Sequence, residues 1–148
     1  MSDKVRSLED LKAPVKLKLA LLWTSLMFLY IYNDYFSLYL PRTIERISAG
    51  QMGPLGPATA PVLVGVSIML AIPALMISLS VLLPATASRW SNVFMGLAYT
   101  AIEVLTFNGP ALFYKIVVGL EIVLTALIVW CALRWPKMTV RDNGSGAS

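Results

Sequence analysis

Four charged residues stand inside stretches otherwise made of aliphatic and aromatic side chains: Asp34, Glu103, Lys115 and Glu121. An ionisable group at the centre of a bilayer costs about 2.5–3.5 kcal/mol on insertion scales, so each is a functional candidate by default. Helical spacing gives each one polar neighbours. Tyr30 and Asp34 are one turn apart, and Asn92, Gly96, Tyr99, Glu103 and Thr106 recur in steps of three and four. Tyr114, Glu121 and Thr125 share a third face, from which Lys115 points away. If these faces meet, Asp34, Glu103 and Glu121 border a polar chamber with Tyr30, Tyr99 and Tyr114 as hydrogen-bonding walls. Such a chamber suits a small ligand or an ion. A second reading stays open, in which Asp34 and Lys115 form an interface salt bridge. Glu103 and Glu121 then tie helices together through Tyr, Thr or Asn.

Depth ranks the four. Glu103 is expected about 6 Å and Asp34 about 9 Å from the outer ends of their spans, with Glu121 close to the midplane. Lys115 lies near an outer end and can snorkel.

Other chemistry is excluded by residue type. The chain has no histidine, so bis-His haem ligation, zinc hydrolase sites and Ser-His-Asp triads are unavailable. Cys131 is alone, which removes an intrachain disulfide and a CxxC pair and leaves it as a packing residue. The glycine- and proline-rich run 50–57 lacks the Lys-Ser/Thr of a phosphate loop. No acid pair has a nucleophile beside it. The chain is therefore expected to be non-enzymatic, with no cofactor and no metal.

The elements that must position these residues follow from composition. Hydrophobic residues make up 57% of the 148 and charged residues 14%, with mean hydropathy +0.72. Soluble domains are nearer 45–50% and 25%. The chain therefore reads as an integral membrane protein partnered by the lipid bilayer, and the net charge of +4 sits at the ends of apolar segments rather than on a nucleic-acid-binding stripe. Four apolar segments, 19–40, 60–83, 90–107 and 111–133, predict an all-α bundle of four transmembrane helices. A 22-residue span is roughly 33 Å long, enough for a hydrocarbon core of about 30 Å. Residues 1–18 form a polar N-terminal segment with a capped surface helix before Pro14, and 134–148 a disordered tail. Between the first two spans, 43–47 predicts one amphipathic turn at the surface. Pro73 interrupts the second span, which membrane helices tolerate when a neighbour satisfies the freed carbonyl. Ser67, Ala71, Ala74 and Ser78 form a narrow small-residue strip there, suited to tight helix contact.

Orientation follows from the basic residues. Lys4, Arg6, Lys12, Lys16, Lys18, Arg89, Arg134, Lys137 and Arg141 fall on the side of the termini, against Arg42, Arg46 and Lys115 on the other. The positive-inside rule then places both termini in the cytoplasm. Trp23, Trp90, Trp130 and Trp135 are expected near the inner interface, while Tyr30, Tyr32, Tyr35, Tyr39 and Tyr114 lie in the outer half. The Asn143-Gly-Ser145 sequon, in a cytoplasmic tail, would meet no glycosylation machinery.

The stretch from Lys18 through Trp23, Tyr30, Asn33 and Asp34 to Phe36 resembles an uncharacterised group of small bacterial four-span membrane proteins. So do Gln51-Met-Gly-Pro-Leu-Gly56 and Ala71-Ile-Pro-Ala-Leu-Met76, and the likeness runs from about Leu8 to Arg134. The span layout is also similar to that of DoxX-like membrane proteins. That second resemblance implies association with quinone or thiol redox systems and supplies no catalytic residue; the lone Cys131 speaks against a thiol role. Location in a bacterial inner membrane follows from the resemblance. Two functions are expected: ligand or cation binding in an outward-facing chamber, or service as an accessory subunit docking on a larger, redox-linked complex, with a homo-oligomer as a further assembly.

Overall fold

The computed structural model describes residues 12–109 and 111–136. The capped segment at 7–10, the tail beyond 136 and the Asn143 sequon lie outside these residues. The described part is helical throughout: α1 (Val15–Ser37), α2 (Thr43–Ser48), α3 (Ala60–Leu82), α4 (Ala85–Thr106) and α5 (Leu112–Leu133), with one 3-10 turn at Gly53–Leu55. α1, α3 and α5 are long and apolar enough to cross a membrane. At 22 residues α4 is as long as α5 and about 33 Å from end to end. Its average hydropathy is lower because one face carries Ser88, Asn92, Tyr99 and Glu103, all of them buried. The opposite face presents Trp90, Phe94, Leu97, Val104 and Leu105.

The four long helices run up, down, up and down in a closed ring in which α1 packs on α3 and α5, and α4 on α5, with α3 and α4 in the loosest contact. Charged side chains fasten the helix ends. The Lys16 ammonium donates to the carbonyls of Val81 (3.0 Å) and Leu83, at the C-terminus of α3. Those are carbonyls without intrahelical partners, at the negative end of the helix dipole. Arg89 reaches the Leu133 carbonyl at the end of α5 (3.4 Å), and the Arg134 guanidinium stacks 3.8 Å over Trp130. The start of α1, the end of α5 and the α3–α4 turn thus share one end of the bundle; α2 and the α4–α5 turn share the other.

Several boundaries differ from expectation. α1 starts at Val15 rather than 19 because Pro14 sits at the N-cap, where its missing N–H costs nothing, and Lys16 has the α3 carbonyls to bond. α4 starts at Ala85 rather than 90 for the same reason: Pro84 is its N-cap, and 85–89 are helix rather than turn. The expected amphipathic turn at 43–47 is α2, exposed, with Ile44 and Ile47 outward. Left-handed backbone at Arg42, Gly50, Gly53 and Gly56 folds the connection back toward α3.

The core is a column of Leu19, Trp23, Leu26, Met76, Val93, Tyr99, Ile128 and Ala132. Trp23 is fully buried inside the bundle. Its indole N–H donates to Asn92 Oδ1 (2.7 Å), and its ring meets Tyr99 edge-on with centroids 6.0 Å apart. Asn92 is satisfied on every side: its amide N–H donates to the Ser88 carbonyl (2.8 Å), and the Ser80 hydroxyl lies 3.1 Å from its Oδ1. Ser88 in turn donates to the Ser80 carbonyl (2.8 Å). This polar plug joins α1, α3 and α4. The small-residue strip of α3 is also placed differently. Ser67, Ala71, Ala74 and Ser78 face outward, because Pro73, Met76 and Ser80 take the inner face of the same helix.

Candidate functional site

Between the Asn92 plug and the loop end lies a cavity of about 200 Å³ bounded by α1, α3, α4 and α5. Six of the seven residues singled out from spacing border it: Tyr30, Asp34, Tyr99, Glu103, Tyr114 and Glu121. Lys115 does not; it is exposed on the outer face of α5 and makes no ion pair with Asp34. Asn33, Val66, Met69, Leu70, Ile102 and Thr106 complete the lining.

The acids hold different positions. Glu103 is 3% exposed and both its oxygens accept: Oε1 from the Tyr30 hydroxyl (2.7 Å) and Oε2 from the Thr125 hydroxyl (2.9 Å). One carboxyl thus ties α4 to α1 and α5, the helix-fastening role of the second sequence reading. Glu121 is also 3% exposed, but its Oε1 is buried without a hydrogen-bond partner. Its nearest charges are Glu103 and Asp34, both acidic. Asp34 stands exposed at the mouth. It also borders a second groove of about 510 Å³ under α2 and the 50–57 connection, where Arg46, Gln51 and Met52 face it.

The two glutamates reach in opposite directions for a stereochemical reason. Helical side chains lean toward the N-terminus of their own helix. On α4 this carries the Glu103 carboxyl away from the α4–α5 turn, while on α5 it carries Glu121 toward it. Glu103 therefore meets Thr125, four residues further along α5 than Glu121.

The tyrosines divide as well. Pro73 has no N–H for the carbonyl four residues before it, that of Met69, and the Tyr99 hydroxyl donates to this carbonyl instead. Tyr99 is thus a wall of the cavity whose hydroxyl serves the backbone of α3. Tyr114 lines the cavity with its ring against Gly109, where an added Cβ would force the ring to move. Spacing did not single out Asn33, whose Oδ1 is also buried without a partner. A polar amide beside Asp34 in an apolar span was the available signal.

Among the described residues, no three carboxyl, thiol or imidazole side chains converge as a metal-binding group. The arrangement offers hydrogen-bond acceptors in a small, partly enclosed, acid-lined space. No curated protein and no solved structure matches the chain. A family of unknown function, DUF6326, matches residues 9–142, nearly the whole sequence, and the chain belongs to it.

Proposed function

We propose that the protein is a four-span membrane protein with both termini in the cytoplasm of a bacterial inner membrane, and that its chamber binds a small ligand or cation from the outer side without chemical turnover. Three helices have the length and apolarity to cross, and α4 has the length with its polar face turned inward. The excess of basic residues at the end holding the termini supports the orientation.

The observation that carries the ligand reading is Glu121. A buried polar atom without a partner costs about 1–3 kcal/mol, and more when charged. Glu103, in the same cavity, by contrast accepts a hydrogen bond at each oxygen. A ligand that donates to Glu121 would recover that cost. The test is thermal stabilisation of the purified protein in nanodiscs across a library of small solutes and inorganic ions, run beside Glu121→Gln. A ligand at one hundred times its Kd is expected to add about 2.7 kcal/mol to the wild type, and to add less to the variant. If no compound gives stabilisation that depends on Glu121, the reading fails.

A second reading is favoured by one observation, the outward-facing strip Ser67, Ala71, Ala74 and Ser78 on α3. Small residues permit close helix approach, as in a homo-oligomer or an accessory subunit on a larger complex, including the redox-linked one suggested by the DoxX-like layout. Stoichiometric copurification of a partner, together with indifference to Glu121→Gln, would support it over the first.

A further inference from the structure

The chamber has a chemical bias stronger than its polarity alone. Three carboxyl groups border it and, among the residues that do so, none is basic. An anion would meet only like charge there. A neutral molecule would leave the acids uncompensated. The two partnerless atoms in the lining are Glu121 Oε1 and Asn33 Oδ1; the amide oxygen accepts, and so does the carboxyl oxygen when ionised, so an occupant that brings donors satisfies both. A bare metal ion needs several oxygens at about 2.0–2.6 Å at once, and the carboxyl groups do not converge in that way. The walls are instead aromatic and aliphatic: Tyr30, Tyr99 and Tyr114 with Val66, Leu70 and Ile102. Aromatic faces attract organic cations, and apolar walls accept a short hydrocarbon body.

We infer that the ligand is a small organic cation bearing N–H donors, a protonated primary or secondary amine whose ammonium group sits on Glu121. This deepens the binding role proposed above and rests on it. Asp34 at the mouth is the first charge such a cation meets, shared between the cavity and the groove under α2. Glu103 contributes its field, while each of its oxygens already accepts one hydrogen bond, from Tyr30 and from Thr125. The acids therefore have unequal parts. Glu121 holds the ammonium, Asp34 draws it in, and Glu103 keeps the helices in place.

The experiment is calorimetric titration of the full chain in nanodiscs with n-butylammonium, butan-1-ol, butyrate, tetramethylammonium and potassium, at a pH where the amine is protonated. Butylammonium is expected to bind, and the other four to bind more weakly or not at all. Glu121→Gln keeps the shape and should weaken butylammonium binding about 30-fold or more, the scale for losing one partner of a buried charge pair. Asp34→Asn, at an exposed position that does not endanger folding, should weaken it less and mainly slow association. Glu103→Gln should affect affinity less than Glu121→Gln. Equal or tighter Glu121-dependent binding of the alcohol, the carboxylate, potassium or tetramethylammonium overturns the inference and leaves the chamber reading standing. So does a failure of butylammonium and of every other primary or secondary amine while a compound of another class in the library binds through Glu121. If nothing in either set binds through Glu121, both fall.

Discussion

Tyr99 shows how one side chain can serve the backbone of another helix. Its hydroxyl fills the place of the N–H that Pro73 lacks, at the carbonyl of Met69. Hydrogen bonds between membrane helices are worth about 0.6 kcal/mol on average and about 1.7 at most. Tyr99→Phe is therefore expected to lower stability by about 1 kcal/mol. Pro73→Ala restores an intrahelical donor to Met69, so in that background Tyr99→Phe should cost almost nothing. The check is a double-mutant cycle by denaturant titration in mixed micelles, and additive losses would show that the hydroxyl has another role. The acids teach a related point. Glu103 and Glu121 are equally buried glutamates on adjacent helices, but only one has found donors. Identity and burial alone do not separate a fastening residue from an unsatisfied one; the geometry of the opposing hydroxyls does.

Among the helices, α4 is the one that owes its place to its neighbours. Its average hydropathy falls short of that of the three apolar helices, and the four-span reading proposed above relies on burial of Ser88, Asn92, Tyr99 and Glu103 inside the bundle. Close approach to α5 depends on Gly96, where an added Cβ would lie 2.7 Å from Val129 Cγ2. Gly96→Ala is expected to reduce stability by about 1–3 kcal/mol through overpacking, with Val129→Ala as a compensating second change. Gly65→Ala and Gly119→Ala meet nothing within 4 Å. They should be neutral or stabilising by up to about 1 kcal/mol, the helix-propensity gain over glycine. Thermal midpoints of the four variants test this; a loss at Gly65 equal to that at Gly96 would contradict the assignment of the α4–α5 contact and point to an assembly interface on α3.

For the molecule as a whole, the alternating helix directions tie the topology to one prediction. On a Cys131→Ser background, single cysteines at Ser2 and Ser148 should react with an impermeant maleimide only after the membrane is opened, and one at Ser48 in α2 should react in intact cells. Labelling of Ser2 and Ser148 from opposite sides would remove the four-span reading, and with it the outward opening of the chamber. The polar plug of Trp23, Ser80, Ser88 and Asn92 is hydrogen-bonded across α1, α3 and α4, and none of the four lines the cavity.

How far the amino-acid order reaches can be read from the same residues. A period of 3.6 decides which side chains share a face of one helix, and that was enough to group Tyr30 with Asp34, Tyr99 with Glu103, and Tyr114 with Glu121 around a common space. Apolar length and proline positions were enough to mark the helices to within a few residues. What periodicity does not contain is the rotation and axial offset of one helix against another, because these come from four surfaces packing at once. For that reason only the tertiary structure decided that Glu103 reaches past Glu121 to Thr125 and that Trp23 turns inward to Asn92. The same packing left Lys115 away from Asp34 and turned the small-residue strip of α3 outward. The unsatisfied carboxyl of Glu121 is the sum of those offsets, a property of where its neighbours' donors fell.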